Sequence, residues 1–429
     1  MTRFPAGPFG GFVARAQQEG CLVVQPRMGF ADPVRMRAGL LAVRDCAAMT
    51  VGTVTLDSYT RLGRHLEVRR LLDRGGVLNG YPLVAHGHAT NLAMLDGVLA
   101  QGFPVQVRHG SALPQDIVTA LTDAGLDATE GGPVSYCLPY GRTPLRTSVR
   151  NWAEGCALLD RVRERGVEPH LETFGGCMTG QMCPPSLLVA LSVLEALFFR
   201  WHGIRSLSLS YAQQTDAEQD RQAVAALRGL AGRLLGDTDW HIVVYTYMGV
   251  YPRTRPGALA LLEEAARLAV RTGAARLIVK TVAEAHRIPT IAENVQALET
   301  AALAAAATRP APPVEEDNEV LAEASLLVEH VLSLADDPGE ALLEAFARGH
   351  LDVPYCLHPD NRGASRSYLD SAGWLRWSRV GAMPLPPSAE SGRGTEMTSR
   401  LLLASLSHVQ NRFDRAAARG ARPAGVRSD

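Results

Sequence analysis

The sequence predicts an α/β protein built as a TIM-like (β/α)8 barrel with a smaller C-terminal α+β region. Short runs rich in β-branched and aromatic residues alternate with longer amphipathic stretches as far as Ala307. Proline and glycine stand where several amphipathic stretches begin and end, and a proline-rich, then acidic segment at residues 308–319 closes the alternation. Strands that alternate with helices form parallel sheets, and eight such units close into a barrel.

Nine runs are candidates for the eight strands. Seven have a strongly β-forming composition and occupy residues 21–26, 49–56, 104–110, 170–175, 206–212, 240–247 and 275–281. Two weaker runs, 77–84 and 127–132, fill the gaps between them. At least one of the weaker two is therefore expected to be a loop or an extension, and periodicity alone does not decide which.

The helices between the strands carry start and stop signals. A proline pair beginning at Pro184 precedes an apolar stretch that ends near Gly203, and Pro256 opens a stretch that ends at Gly273. An alanine-rich helix ends near Ala307. Proline in the first turn and glycine after the last turn are residues that helix ends favour.

The linker divides the chain into a barrel, residues 1–310, and an accessory region, residues 311–429. The accessory region is expected to be helical at 320–335 and irregular at 352–363. Its last residues, 414–429, are rich in arginine, alanine and glycine and are expected to form a disordered basic tail.

Charge and composition exclude several classes of partner. The formal net charge of -1 creates no field that would attract nucleic acid or an anionic membrane. The N-terminal segment lacks the apolar core of a signal peptide, and the longest apolar helix candidate, from Leu187 to Phe199, is short and contains Glu195. We therefore expect a cytoplasmic protein that contacts neither nucleic acid nor a membrane.

Sequence motifs exclude several kinds of site. No GxxxxGK[ST] occurs, and no GxGxxG occurs in a strand-turn-helix setting, so phosphate-loop and dinucleotide sites are not predicted. There is no GxSxG nucleophile elbow. His86 and His88 have no third ligand at a recognisable spacing, so no metal site is predicted.

Lys280 is the one lysine of a chain whose other basic residues are all arginines. Arginine evidently serves wherever only positive charge is needed. Because the two side chains differ in size, donor geometry and hydration, Lys280 is expected to stand where an ammonium group is chemically required. Chance survival of one surface lysine is the alternative.

Charged side chains follow several predicted strands at their C-terminal ends, where barrel enzymes place their active sites. These residues are Arg27, Arg61, Arg108, His109, Glu130 and Lys280. Three arginines that converge would bind a dianion, because each guanidinium can bind a carboxylate bidentately. With Glu130 as partner for an ammonium group, they favour a dicarboxylic amino acid as substrate, although each arginine alone is also typical of a surface ion pair.

Two further pairs allow both a functional and a structural interpretation. Tyr136 and Tyr140 would offer hydroxyl groups to a ligand, or would simply pack. Lys280 and Glu284 would form an ordinary salt bridge if the turn after the strand is helical, or would bind polar groups of a cofactor.

An ordered series of motifs resembles one family. The segments VQPRMGFA, LDSYTR, LLDRGGVLNGYP, QVRHG, TEGGPVSYCLPYG, ETFGGCMTGQMCPPS, YMGVYP and LIVKTVAEAHRIPT are similar to the motif series of the glutamate mutase (methylaspartate mutase) epsilon, or large, subunit. The resemblance runs from about residue 20 to 290 and continues more weakly through DVPYCLHPDNRG.

The resemblance implies a role for each matching position. Arg27, Arg61 and Arg108 would hold the two carboxylates of glutamate and Glu130 its amino group. His109, Tyr136 and Tyr140 would complete the substrate pocket. The positions that would bind the coenzyme are Gly29, Asn79, Pro139, Tyr251, Lys280, Glu284 and Ile288.

The family's activity is an adenosylcobalamin-dependent interconversion of L-glutamate and (2S,3S)-3-methylaspartate by radical fragmentation and recombination. The resemblance therefore implies an isomerase of which this chain is the large catalytic subunit. The cobalt-binding DxHxxG motif is absent here. Together with this absence, the resemblance implies a separate small (sigma) subunit that ligates the cobalt and carries most of the corrin. The family's complex contains two large and two small subunits.

Three alternatives stay open at this point. The chain would be a related mutase acting on another amino acid or dicarboxylic acid, or a barrel lyase that forms a Schiff base on Lys280. The third alternative is a non-catalytic scaffold for a cobalamin protein.

Overall fold

The computed structural model describes residues 5–174, 182–312, 314, 318–391 and 397–420. The strands are β1 Val23–Gln25, β2 Gly52–Thr55, β3 Val105–Arg108, β4 Ala128–Gly131, β5 His170–Thr173, β6 Ser206–Ala212, β7 Asp239–Tyr245, β8 Arg276–Ile278, β9 Arg366–Leu369 and β10 Leu375–Arg379. The helices up to the linker are α1 Pro8–Gln18, α2 Pro33–Arg44, α3 Ser58–Arg61, α4 His65–Asp73, α5 Leu83–Leu95, α6 Gln115–Asp123, α7 Leu145–Leu159, α8 Pro185–Trp201, α9 Ala217–Leu234, α10 Arg255–Arg271 and α11 Ile291–Ala306. The later helices are α12 Glu319–Leu332, α13 Pro338–Arg348, α14 Ser399–Leu406 and α15 His408–Gly420.

The first eight strands form one parallel barrel, which confirms the predicted fold. Their order is β1-β8-β7-β6-β5-β4-β3-β2, so each strand lies beside its neighbours in the chain. The sheet closes between its two ends, because Val24 N donates to Met49 O at 2.9 Å and Val24 bridges Thr50 in parallel register. All eight strands therefore direct their C-terminal ends to the same face.

The two weaker strand candidates have different outcomes. Residues 128–131 form β4, whereas 77–84 is not a strand of the barrel. Tyr81 makes a single bridge to Leu56, and α5 begins at Leu83. Pro82 has no N–H to donate to a sheet, which is why the run does not continue as a strand.

The predicted helices are present with small shifts at their ends. The stretch after Pro184 is α8, whose residues are buried almost throughout. It is covered on several sides, because α9, α12 and α13 pack against it and β5 and β6 lie beneath it. A helix that is apolar around its whole circumference is typical of such a buried position.

The region after the linker packs on the barrel's outer helices. Helix α12 lies against α8 and α9, and β9 and β10 form an antiparallel pair. Helix α15 packs against α10.

The prediction of a disordered tail is wrong for residues 414–420, because these residues belong to helix α15. Asp414 accepts hydrogen bonds from Arg253 N at 3.1 Å and Thr254 N at 3.0 Å, and the neighbouring Phe413 is buried. These contacts order a segment whose composition alone indicates disorder. Residues 421–429 of the expected tail lie outside the described residues.

No helix in the described part of the chain has both the length and the apolar character needed to cross a membrane.

Candidate active site

The barrel interior is filled by polar side chains. Barrels of this kind usually fill their interior with branched apolar residues. Here Gln25 Nε2 donates to Thr53 Oγ1 and to Gln106 Oε1, both at 2.8 Å. The guanidinium of Arg276 donates to Gln25 and Glu172, and Arg276 and Glu172 are fully buried. A buried ion pair is weak evidence for stability, since replacing such a pair by apolar residues is often neutral or stabilising.

Above this layer Glu130 lies within hydrogen-bond distance of three side chains. Arg108 Nε lies 2.7 Å from Glu130 Oε2, and the Tyr245 hydroxyl lies 2.8 Å from the same oxygen. The Tyr136 hydroxyl donates to Glu130 Oε1. Burial lowers the pKa of Arg108, but the charge of Glu130 and its neighbours outweighs burial and raises this pKa well above its ordinary value. Arg108 therefore stays charged inside the barrel.

The loop that carries Tyr136 is held by a buried glutamate of α8. Glu195 Oε1 accepts hydrogen bonds from Val134 N at 3.0 Å and Ser135 N at 2.8 Å. Gly132 is required at the start of this loop, since a Cβ there would lie 2.1 Å from Glu195 Oε1. Burial raises the pKa of Glu195 to about 7, although the hydrogen bonds from the loop oppose this shift.

His109 is a neutral, buried donor beside this loop. Ser111 N donates to His109 Nδ1 at 3.1 Å, so the ring proton is assigned to Nε2. Burial and then the charge of Arg61 lower the pKa of His109 to about 3, although the Glu130 main chain acts in the opposite direction. The ring stacks on Trp152 with 5.6 Å between centroids. Within the described residues Nε2 has no hydrogen-bond partner, so it can donate to a ligand.

Arg61 lies at the end of α3 and next to the end of β3. The Asp57 side chain caps α3 by accepting from Tyr59 N and Thr60 N. Ser111 Oγ donates to Arg61 O at 2.7 Å, and a Cβ on Gly110 would lie 3.7 Å from Arg61 Nη1. The structure thus brings Arg61 beside the Arg108–His109 segment, as the sequence predicts.

A second group of candidates lies where β8 meets β1. Arg27 Nη1 is 2.6 Å from Glu284 Oε2, and Thr281 N donates to Glu284 Oε1 at 3.0 Å. Lys280 Nζ lies 4.2 Å from the centroid of the Tyr251 ring. Burial lowers the pKa of Lys280 to about 8, with the charge of Glu284 opposing and that of Arg27 assisting this shift. Of the two alternatives for Lys280 and Glu284, the ordinary salt bridge between them is not formed in the described part of the chain, because the ion pair of Glu284 is with Arg27.

The remaining candidates lie on the loops around these two groups. Gly29 is required for close backbone contact, because a Cβ there would lie 2.1 Å from Thr55 O. Asn79 Oδ1 accepts from Ser58 N at 2.9 Å. The Tyr140 ring is 5.7 Å from that of Tyr136 and 41% exposed. Pro139 and Ile288 are exposed, and no hydrogen bond in the described part of the chain joins Asn79 or Ile288 to either group.

Sequence reasoning missed Glu172, Tyr245 and Arg276. Each lies inside a strand that was correctly predicted, and each points into the barrel. The available signal was a charged or hydroxyl-bearing residue inside a buried strand.

Comparisons with known proteins identify the family of this chain. The family model described as methylaspartate mutase E chain (MutE) matches residues 5–404. The glutamate mutase epsilon subunit of Escherichia coli O157:H7 is 30% identical over 393 residues, which are 87% of this chain and 80% of that protein. That of Yersinia enterocolitica is 30% identical over 398 residues, 88% of this chain and 81% of that protein. The epsilon subunit of Desulfitobacterium hafniense is 29% identical over 390 residues, 87% of this chain and 80% of that protein.

These matches confirm the resemblance that the motif series indicates. The match to the family model extends over both the barrel and most of the region after the linker. The chain belongs to the methylaspartate mutase E chain family.

Proposed function

We propose that this chain is the large catalytic subunit of an adenosylcobalamin-dependent mutase that interconverts L-glutamate and (2S,3S)-3-methylaspartate. The observation that carries the proposal is the buried Arg108–Glu130 pair at the C-terminal mouth of the barrel, with Arg61 and Arg27 on the segments that follow β2 and β1. In this proposal residues 1–310 bind substrate and the adenosyl group, and residues 311–429 form an accessory region.

The charges at the mouth suit a dicarboxylic amino acid. Arg27, Arg61 and Arg108 are the proposed carboxylate ligands, and Arg61 Nε is a buried donor with no partner among the described residues. Glu130 is the proposed partner of the ammonium group. His109 Nε2, Tyr136 and Tyr140 add neutral donors, so the pocket offers fixed hydrogen bonds to both ends of the substrate.

The second group of residues suits the coenzyme. Lys280 is an ammonium group that is only 7% exposed and rests on the Tyr251 ring, and Glu284 offers a carboxylate beside it. Gly29 leaves room for no side chain. We propose that these four residues, with Asn79, Pro139 and Ile288, hold the adenosyl end of the coenzyme. When bound, adenosylcobalamin supplies the radical that removes a hydrogen atom from the substrate.

The chain's own residues would mainly hold and shield the reacting groups. Three guanidinium groups fix both carboxylates, so that two substrate fragments would stay close enough to recombine. Glu130 would take a proton from the amino group and return it. The enclosed interior would keep water away from reactive intermediates.

Exposed apolar side chains near the mouth support a partner subunit. They lie on the segments that follow β2, β3 and β8, including helix α4, and are Leu62, Leu66, Val77, Leu113 and Ile288, which are 40–93% exposed. Because the strands are parallel, these segments begin at one face of the barrel, and exposed apolar surface on one face is typical of an interaction site. We propose that the small sigma subunit, which carries the DxHxxG motif, covers this face in a complex of two large and two small subunits.

The experiment mixes this chain with a cobalamin-binding small subunit and adenosylcobalamin, without oxygen, and adds L-glutamate. Formation of 3-methylaspartate that stops when either the small subunit or the coenzyme is omitted supports the proposal. A panel of other amino and dicarboxylic acids tests whether a related substrate is preferred. An assembled complex that turns over none of them would be a scaffold.

One observation favours a second candidate, a lyase that forms a Schiff base. The lowered pKa of Lys280, about 8, leaves a larger share of neutral amine at neutral pH than an ordinary lysine has. Borohydride reduction in the presence of substrate distinguishes the two functions. Substrate trapped on Lys280 supports the lyase, and the mutase predicts none.

A further inference from the structure

Tyr245 lies between the two buried carboxylates of the barrel interior. Its hydroxyl oxygen is 2.8 Å from Glu130 Oε2 and also hydrogen-bonds to Glu172 Oε1. The three residues come from β7, β4 and β5, and all are at most 1% exposed. A phenol carries one proton, so its hydroxyl donates to only one of the two carboxylates at a time.

Glu172 is held as an anion at the inner end of this contact. Arg276 pairs with it at zero exposure, and Gln106 Nε2 and Ser208 Oγ donate to its Oε2 at 3.2 and 3.1 Å. Burial raises the pKa of Glu172, but the charge of Arg276 and the hydrogen bonds from Tyr245 and Arg276 contribute to a larger opposite effect, and the pKa falls below its ordinary value.

The contact between Glu130 and Tyr245 changes with the charge of Glu130. If Glu130 is ionised, one proton serves two carboxylates, and one of the two contacts has no proton in it. If Glu130 carries a proton, it donates to Tyr245, and Tyr245 donates to Glu172. Each of the two contacts then contains one proton. The three groups therefore have a place for one additional proton, and that place is on Glu130.

We propose that Tyr245 is a positioning residue that lets Glu130 take up and return the proton of the substrate's ammonium group; this rests on the function proposed above. In this step an N–H bond of the ammonium breaks, its electron pair stays on nitrogen, and an O–H bond forms on Glu130 Oε2. The Tyr245 proton keeps its covalent bond and is directed to Glu172, so that the Tyr245 oxygen accepts the new Glu130 proton as a hydrogen bond. The total charge of the pocket does not change, because the proton moves within it.

The test is Tyr245→Phe in the assembled complex, with Tyr247→Phe as the matched control. Tyr247 is also buried and lies two residues further along the chain, but its hydroxyl has no hydrogen-bond partner among the described residues. We expect Tyr245→Phe to lower kcat by about 10- to 100-fold, the lower range of a lost acid–base contribution. The KM for L-glutamate should stay within about 3-fold, because the substrate's own ligands are intact. Tyr247→Phe should leave both constants near the wild-type values.

The outcomes separate this inference from the proposed function. A wild-type complex that makes no 3-methylaspartate defeats the proposed function, and the role of Tyr245 falls with it. If the wild type is active, a Tyr245→Phe complex with the kcat of Tyr247→Phe overturns the role of Tyr245 alone. A rise in KM as large as the loss in kcat also overturns it, because Tyr245 would then act in substrate binding.

A second variant covers the case in which Tyr245→Phe does not fold, as judged by its thermal unfolding. Tyr245→3-fluorotyrosine keeps the hydroxyl and its shape but makes the phenol more acidic. The inference expects a change in kcat of several-fold, with KM preserved. An unchanged kcat would contradict it.

Discussion

Arg27 and Glu284 form an ion pair between the segments that follow β1 and β8, with 2.6 Å between Arg27 Nη1 and Glu284 Oε2. The residues are 257 positions apart, and they follow β1 and β8, which lie side by side. Arg27 belongs to the proposed substrate ligands and Glu284 to the proposed coenzyme ligands. The two sites would therefore share a wall, and the charge of each residue helps to orient the other.

Replacing Arg27 tests this shared wall. Arg27→Lys keeps the charge but loses the planar fork that can bind a carboxylate and Glu284 together. We expect kcat/KM for L-glutamate to fall about 10- to 100-fold, the equivalent of about 1.4 to 2.7 kcal/mol, mostly through KM. Arg146→Lys is the control, because Arg146 also pairs with a glutamate, Glu340, but is 72% exposed. Steady-state kinetics in which both variants match the wild type would remove Arg27 from the site.

The requirement for Gly29 is expected to be structural whatever its role towards a ligand. A Cβ at this position would meet the backbone of β2, 2.1 Å from Thr55 O. Gly29→Ala should lower the free energy of unfolding by about 1 to 3 kcal/mol, the usual cost of forcing extra atoms into a packed site. Gly229→Ala is the contrast, since it lies inside α9 with nothing within 4 Å of the new Cβ. Denaturant unfolding should show that Gly229→Ala raises the free energy of unfolding by about 0.5 to 1 kcal/mol. Equal effects of the two changes would contradict the close contact at Gly29.

Asp127 predicts a specific pH dependence of stability. It accepts a hydrogen bond from Phe9 N at 3.1 Å, and burial raises its pKa to about 6, although this bond and the charge of Arg165 oppose the shift. The folded chain therefore keeps a proton on Asp127 at pH values where the unfolded chain has lost it, between about 4 and 6. The free energy of unfolding contributed by this group falls as pH rises through that window.

Asp127→Asn removes this contribution, because the amide stays neutral. The variant should be more stable than the wild type at pH 7.5, by at most about 3 kcal/mol, and should gain little at pH 4. Asp237→Asn, at an exposed surface ion pair, is the control. Urea unfolding at the two pH values measures the difference. If Asp127→Asn raised the free energy of unfolding equally at both pH values, burial of the Asp127 charge would not be the cause of the stabilisation.

The segment around His358 is expected to hold the loop after β4. His358 Nδ1 accepts from Asp360 N, so its Nε2 carries the proton and donates to Thr143 O at 3.0 Å. Asp360 Oδ2 accepts from Leu145 N at 2.7 Å. This loop carries Pro139 and Tyr140, so the region after the linker supports the proposed site.

His358→Ala should therefore weaken the site without touching a ligand. We expect about a 10-fold loss of kcat/KM, or about 1.4 kcal/mol, which is the size of one buried hydrogen bond. Hydrogen exchange should become faster in residues 138–145 and stay unchanged in β6. Loss of activity with unchanged exchange in that loop would assign His358 some other role.

The fold was largely predictable because strand and helix signals are local. Proline and glycine mark the ends of α8 and α10, and β-branched runs mark most strands. The choice between 77–84 and 127–132 was not predictable from periodicity, since it depends on which run finds a neighbouring strand. The helical ending at Gly420 was also missed, because the contacts of Asp414 that order it come from a distant part of the chain.

The candidate site was predictable where a residue lies at the end of a strand. Arg108, Glu130 and Lys280 fall into this class. Side chains that act across the barrel were not, because Tyr245 and Glu172 meet only when β5 and β7 lie on either side of β6. The partner of Glu284 was missed for the same reason, as Arg27 is near it only once β1 lies beside β8.

The most direct test compares the wild type with Glu130→Gln in complexes matched for bound small subunit and coenzyme, by the initial rate of 3-methylaspartate formation from L-glutamate. The account predicts turnover by the wild type and a loss of about 10²- to 10⁴-fold in the variant, as expected when a general base is removed. Glu340→Gln, an exposed carboxylate, should turn over like the wild type. Equal rates for wild type and Glu130→Gln, or no product from an assembled wild-type complex, would contradict the central claim.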